Sequence, residues 1–287
     1  MVTQVQPKDK TVTVNGLKLH YLDWGAEGSP VIVLLHGLRG HAHSWDDVSA
    51  ALCGDYRVLA LNQRGRGDSD WARNGDYSTS AYVSDLLGFC DALKLDQFIL
   101  AGHSMGGRNS MSFAGRHADR LQKLIIVDIG PTVAPAGGQR ITQELISVPE
   151  EFDSFEDVVQ YMGRQNRFAS DAVLRRRLQY ATQELPNGKI GWRYDLAIRE
   201  QRRHGTAPPA EDLWPLLPII TCPTLVVRGK QSDLLSAGVA QRMLQTLHSA
   251  KLAEVDRAGH MVFEDNPNDF IAVMKDWLSW RKSIKKA

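Results

Sequence analysis

The chain has 287 residues, of which 43% are hydrophobic and 23% charged, as in an ordinary globular protein. Its net charge of +1 argues against a nucleic-acid binder driven by bulk charge and against a disordered acidic scaffold. Three widely spaced cysteines without a C-x-x-C pair predict neither a disulfide framework nor a cysteine zinc site. The start lacks the pattern of a signal peptide, and no apolar run is long enough to span a bilayer, so we expect a cytoplasmic protein.

The apolar pattern predicts strands that alternate with helices. The first unit is a hairpin, in which Asn15-Gly16 supplies a two-residue turn between the strands 11–14 and 17–22. Further short runs are apolar on both faces, which suits central parallel strands; they cover residues 31–35, 56–61, 98–101, 124–127 and 225–227, with 251–255 as a weaker, edge-like strand. Helical spacing occurs between several of them. This alternation favours an α/β protein with a mainly parallel, doubly wound sheet.

One long interval, from Pro131 to Cys222, contains no convincing core strand. It predicts helices over 154–165, with Ser154 as the N-cap, over 170–184 and over 195–204. Acidic residues cluster early in this interval and basic residues later; solvated helix faces with local ion pairs explain this better than attraction for an anionic partner. We expect a core of residues 1–130 and 223–287 that carries residues 131–222 as a helical cap.

The motif Gly102-His103-Ser104-Met105-Gly106 matches G-x-S-x-G. It directly follows the strand 98–101 and precedes a segment, 108–117, that can be helical. A serine at such a junction sits on a sharp turn, which needs small residues two positions before and two positions after it. The context therefore indicates that Ser104 is a nucleophile.

On this motif and its context the sequence resembles the α/β-hydrolase superfamily, in the group of small serine esterases and lactonases with a helical cap. The resemblance implies an eight-stranded sheet with the cap inserted after the sixth strand, and a triad in the order nucleophile, acid, histidine. His260, after the last strand, fits the histidine, and Asp233, in the loop after the strand 225–227, fits the acid. Asp128, which ends the strand 124–127, competes for the acid's place, but we favour Asp233 because the family uses that loop.

The resemblance also implies an oxyanion hole made by the backbone N–H groups of Leu38 and Met105. His36 is expected to brace the loop that carries Leu38. In the family's turn motif, residues 62–69, Asn62 stands where an aspartate is common, which puts carboxylate bracing of Arg64 in doubt. The pair His41 and His43, followed by two aspartates, lacks the remaining ligands of a zinc site, so no metal and no cofactor are expected.

The sequence therefore predicts a serine hydrolase that cleaves carboxylic esters of small molecules. Lactonase, amidase or C–C bond hydrolase activity is possible with the same triad, and a small-molecule receptor of the same fold is the alternative from another class. We expect a small ester or lactone as partner, no nucleic acid, no membrane span, and a monomer or homodimer.

Overall fold

The computed structural model describes residues 5–165 and 168–280. Eight strands form the main sheet, in the order β1-β2-β4-β3-β5-β6-β10-β11. Their bounds are β1 Lys8–Val14, β2 Leu17–Trp24, β3 Val31–Leu35, β4 Arg57–Leu61, β5 Phe98–His103, β6 Leu121–Val127, β10 Thr224–Gly229 and β11 Ala250–Val255. The predicted α/β class with a mainly parallel eight-stranded sheet is confirmed.

The hairpin at the start of the chain is the antiparallel part of the sheet. Strands β1 and β2 pair through Asn15 and Gly16, both of which have positive φ, and β2 pairs antiparallel with β4. The remaining neighbours pair parallel, so the carboxyl ends of β3, β5, β6 and β10 meet at one edge. Loops that leave these strands are therefore brought together at that edge.

The core lies on both faces of the sheet because the central strands are apolar throughout. Alternate residues of β3 separate to the two sides: Val33 and Leu35 join one buried cluster, whereas Ile32 and Leu34 join the other. The helices outside the long interval are α1 Asp46–Leu52, α2 Thr79–Ala92, α3 Met105–Arg116, α8 Ala237–Thr246, α9 Val262–Asp265 and α10 Pro267–Ser279. They cover these two apolar faces, as expected for a doubly wound sheet.

Between β6 and β10 the described residues form the three predicted helices, a further helix that the sequence does not predict, and a small second sheet. The helix predicted over 170–184 ends at Ala181, because residues 182–184 form a strand of that sheet. The helices are α4 Pro135–Ser147, α5 Phe155–Gly163, α6 Asp171–Ala181 and α7 Ala197–Arg203. The strands are β7 Glu151–Phe152, β8 Thr182–Glu184 and β9 Ile190–Trp192, in the order β7-β9-β8. Ser154 caps α5 as predicted, since its hydroxyl accepts a hydrogen bond from the N–H of Asp157.

We call residues 131–222 the cap. Its helices α5 and α6 pack around a buried cluster of their own, which includes Val158, Leu174 and Trp192. The last part of the range packs differently, because Leu213 and Leu217 belong to the core cluster on one face of the main sheet. The domain boundaries at 131 and 222 stay a prediction. Across the described residues, no helix combines the length and the apolar character needed to cross a bilayer.

Candidate active site

Ser104 occupies a strained turn between β5 and α3. Its backbone has φ 54° and ψ −117°, in a region that costs a non-glycine residue about 1–3 kcal/mol. The two flanking glycines permit this turn. A Cβ on Gly102 would lie 2.3 Å from the carbonyl oxygen of Gly106, and one on Gly106 would lie 2.4 Å from the carbonyl oxygen of Leu35. The sequence requirement for small residues at both positions therefore has a direct steric cause.

His260 lies within hydrogen-bond distance of the serine. Its Nε2 is 2.9 Å from Ser104 Oγ. Hydrogen bonds hold three successive residues of the loop that carries it: Ala258 N–H donates to Gln231 Oε1, Gly259 N–H donates to Asp265 Oδ2, and His103 Nε2–H donates to the carbonyl of His260. Successive residues of the loop are thus fixed, and the imidazole is positioned before any substrate binds.

Asp128, which directly follows β6, holds the other side of the imidazole. Its Oδ2 is 2.9 Å from His260 Nδ1 and also accepts a hydrogen bond of 2.5 Å from Ser232 Oγ. Its Oδ1 accepts from the N–H of Gly229 at 3.0 Å. The residue is completely buried and has a positive φ of 50°, a conformation that aspartate tolerates better than most residues. The carboxylate has two independent anchors besides the histidine.

The structure does not bring Asp233 to the histidine, and the expectation that it holds the imidazole is corrected. Its carboxylate instead binds Arg140 of α4 through two hydrogen bonds of 2.6 and 2.8 Å. The side chain is 44% exposed, and hydrogen bonding from Arg140 holds the pKa of Asp233 below its usual range. The reason is geometric: Asp128 leaves β6 right at the strand end and fills the place beside the ring, whereas Asp233 lies four residues beyond the end of β10.

Burial controls the protonation of the histidine and its acid. It lowers the pKa of His260 to about 3 and raises that of Asp128 to about 7, because both charged forms are taken out of water. Hydrogen bonds from Ser232 and Gly229 act in the opposite sense and lower the pKa of Asp128. The neutral imidazole needed for a general base is therefore the favoured form of His260 in this site.

The loop after β3 passes close to the serine. A Cβ on Gly37 would lie 2.9 Å from His103 Nδ1 and 3.2 Å from Ser104 Cβ, so glycine suits this close approach. Leu38 follows and lines the same cavity as Ser104. Met105 is the first residue of α3, so its N–H belongs to the four at the helix start that have no acceptor within the helix. Both backbone groups that the sequence proposes for an oxyanion hole are in the neighbourhood of the serine.

A cavity of about 470 Å³ opens over Ser104 and His260. The loops of the main sheet form one wall and the cap forms the other, with α4, α5 and α6 contributing Ile141, Met162 and Leu178. Apolar side chains therefore form part of the cap side of the cavity. Charged side chains gather at another part of the wall, among them Arg39 and Arg140.

Comparison with known proteins places this geometry in a family. The model of the alpha/beta hydrolase family matches residues 32–273. A 3-hydroxybutyrate-oligomer hydrolase of Cupriavidus necator is 33% identical over 260 residues, which cover 85% of this chain and 87% of that protein. The chain belongs to the alpha/beta hydrolase family.

Two further similarities extend over nearly the whole hydrolase. An esterase of Mycobacterium tuberculosis is 28% identical over 266 residues, 91% of this chain and 86% of that protein. The crystal structure of an alpha/beta hydrolase from Novosphingobium aromaticivorans superimposes with a TM-score of 0.85 at 29% identity, covering 95% of this chain and 98% of the other. The family and fold expected from the nucleophile motif are confirmed.

Two further sequence expectations concern the floor of the hydrolase site. His36 braces its loop as expected, since its Nδ1–H donates to the carbonyl of Gly37 and its Nε2 accepts from the N–H of Gln63. Arg64 is braced by a carboxylate after all, because Asp85 binds it through two hydrogen bonds of 2.6 and 2.7 Å. Asn62 serves another purpose there and accepts from the N–H of Ala42.

The histidine pair that suggests a metal is engaged in protein contacts. His41 Nε2 bonds to the backbone carbonyl of Arg177, and the ring of His43 stacks on Tyr180 with centroids 3.6 Å apart. Nowhere in the described parts of the chain do three potential metal-ligating side chains come together.

The sequence does not single out two residues that the structure places at the site, Ser232 and Arg39. The position of Arg39 immediately after Leu38 was the available signal for the second of them.

Proposed function

We propose that this hydrolase cleaves carboxylic esters of small molecules through an acyl-enzyme on Ser104, with His260 as general base and Asp128 as the triad acid. One observation carries the proposal: a continuous chain of hydrogen bonds joins Ser104, His260 and Asp128. The distance from His260 Nε2 to Ser104 Oγ and the distance from His260 Nδ1 to Asp128 Oδ2 are both 2.9 Å. The similarity to an esterase and to a hydroxybutyrate-oligomer hydrolase supports an ester as substrate. The cavity volume suits a small molecule.

The reaction begins with attack of Ser104 Oγ on the ester carbonyl carbon while His260 Nε2 takes the hydroxyl proton. Asp128 keeps the Nδ1–H tautomer and stabilises the imidazolium that forms. The tetrahedral oxyanion accepts hydrogen bonds from the N–H groups of Leu38 and Met105. His260 then returns its proton to the leaving alcohol, and water cleaves the acyl-enzyme through the same relay.

Ser104→Ala tests the proposal, because it removes the nucleophile and leaves the cavity intact. We expect release of p-nitrophenolate from p-nitrophenyl butyrate to fall to background. Mass spectrometry of the wild-type chain treated with a fluorophosphonate should find the label on Ser104. Turnover by Ser104→Ala at more than a trace of the wild-type rate would contradict the proposal.

Lactones, amides and C–C bonds are the alternative substrates for the same three residues. A panel of aryl esters, lactones and amides matched in acyl group distinguishes them by kcat/KM. We expect aryl and alkyl esters to give the largest values. A lactone or amide that exceeds every ester by a wide margin would replace the substrate class and leave the triad in place.

A receptor of the same fold is the alternative from a different class. It would bind its ligand, hydrolyse it very slowly and recruit a protein partner in response. Multiple turnover of a small ester by the purified chain argues for the enzyme.

We expect a monomer or homodimer located in the cytoplasm. Sedimentation of the purified protein tests the oligomeric state, and fractionation of cells tests the location.

A further inference from the structure

Ion pairs join the cap and the core at one part of the cavity wall. Glu144 of α4 accepts a hydrogen bond of 2.8 Å from Arg39 Nη2 and one of 2.7 Å from Arg140 Nη1. Arg140 in turn binds Asp233. These four side chains form a line of alternating charge, Arg39–Glu144–Arg140–Asp233, and all four line the cavity that contains Ser104.

The two arginines of this line differ in how many donors they use. Arg140 donates from Nε and Nη2 to Asp233 and from Nη1 to Glu144, so all three of its nitrogens are engaged. Arg39 donates from Nη2 alone, and its buried Nη1 has no acceptor among the described residues. A guanidinium carries five N–H donors in a planar fork, so Arg39 keeps capacity for a second acceptor.

The surroundings of Arg39 make a second anion favourable. Among the described residues its one counter-ion is Glu144, which is shared with Arg140, and burial lowers the pKa of Arg39 because water does not fully solvate its charge. A partly buried cation with an unused donor gains more from an anionic acceptor than a fully solvated one does. Arg39 also directly follows Leu38, the residue assigned to the oxyanion hole, so it belongs to the loop that contacts the reacting ester.

We propose that Arg39 binds a free carboxylate of the substrate, so that the preferred esters are those that carry an acid group. This specificity rests on the proposed function, since it names the substrate class of the same site. Glu144 is then a resident competitor for the same guanidinium, and the apolar wall formed by Ile141, Met162 and Leu178 accommodates the carbon chain between the ester and the acid.

The test compares matched pairs of substrates. On the acyl side, mono-p-nitrophenyl adipate is compared with p-nitrophenyl hexanoate; on the alcohol side, the acetate ester of a hydroxyalkanoic acid is compared with that of an alkanol of the same length. For each pair the readout is the ratio of kcat/KM, acid over neutral. We expect wild-type ratios above one for at least one pair, and a fall of about tenfold or more in Arg39→Met, the worth of a charge-assisted hydrogen bond.

Glu144→Gln separates recognition from a structural role. Both Arg39→Met and Glu144→Gln break the same ion pair, so a merely structural role would move the ratio in the same direction in both variants. If Arg39 binds the substrate acid, Glu144→Gln removes its competitor, and the ratio should rise. Arg175→Met is the matched control, because it breaks an exposed ion pair between Arg175 of α6 and Glu156 of α5. This variant should leave the ratio unchanged.

Three results would overturn the proposal: no preference for the acid in either pair, a ratio unchanged in Arg39→Met, or a fall in both Arg39→Met and Glu144→Gln. Arg39→Lys, which keeps the charge and loses the planar fork, should give a ratio between those of the wild type and Arg39→Met. Arg39→Lys replaces Arg39→Met in the test if the methionine variant does not fold. The proposed function fails separately, through turnover by Ser104→Ala, so the two failures are distinguishable.

Discussion

Replacing Asp128 and Asp233 one at a time by asparagine decides which carboxylate serves the triad, because the chemical change is the same at both. Asp128→Asn removes the charge that stabilises the imidazolium. In one orientation the new amide nitrogen faces the N–H of Gly229; in the other it faces His260 Nδ1 and forces the proton onto Nε2, the atom that must accept from Ser104. Neither orientation reproduces the wild-type hydrogen bonds.

We therefore expect Asp128→Asn to lower kcat for p-nitrophenyl butyrate by about 10³- to 10⁴-fold, or about 4–5 kcal/mol of barrier. Asp233→Asn breaks an ion pair with Arg140 whose two side chains are 40% and 44% exposed. Such pairs contribute about 1 kcal/mol or less, so the loss should stay within about fivefold. Circular dichroism and thermal melting of both variants check that they fold.

The opposite ranking would refute the reasoning. If Asp233→Asn abolished turnover while Asp128→Asn kept a tenth or more of it, Asp233 would have to reach His260 during the reaction. The distances of 2.9 Å between Asp128 and His260, and of 2.6 and 2.8 Å between Asp233 and Arg140, would then describe a resting arrangement only.

Two further predictions concern the pH dependence of turnover and the stability of the turn that carries Ser104. The proton that binds as the pH falls through about 7 inactivates the Asp128–His260 pair, so kcat/KM should decrease there. Ser232→Ala removes a donor that lowers the pKa of Asp128, so this decrease should move to higher pH, whereas Ser232→Thr keeps the hydroxyl and should hold it in place. Gly106→Ala should lower Tm, at a cost of about 1–3 kcal/mol, because its Cβ would meet a backbone carbonyl; Gly54→Ala, with no heavy atom within 4 Å, is the control and should change Tm little.

The sequence predicts the main sheet well because its signals are local. Apolar runs of three to six residues mark the central strands, and Asn15-Gly16 marks the hairpin turn. The small sheet of β7, β8 and β9 escapes this reasoning, since strands of two or three residues have no readable period. They form because the cap helices bring them together, which is a tertiary effect.

The site is predicted as far as the chain order determines it. Ser104 and His260 come together because both lie at the carboxyl edge of the sheet, after strands that the apolar pattern identifies. The acid cannot be assigned in this way. Asp128 and Asp233 follow β6 and β10, which are neighbours in the sheet, so both could reach the histidine. Arg140, which comes from the cap, engages Asp233, and nothing in the local sequence indicates that contact.

Because of the ion pairs between cap and core, the cap cannot be transferred to another protein on its own without losing contacts. Several of these ion pairs join an arginine on one side to an acid on the other, so a chimera that placed residues 131–222 on another hydrolase would bring charges without their partners. Among the described residues, the core side chains that a graft would have to include with the cap are Arg39, Asp47, Asp68, Arg116, Asp233 and Glu264, which pair with Glu144, Arg176, Arg193, Glu211, Arg140 and Arg177. Grafting the cap to exchange substrate preference between relatives therefore requires that these core residues are exchanged together with it.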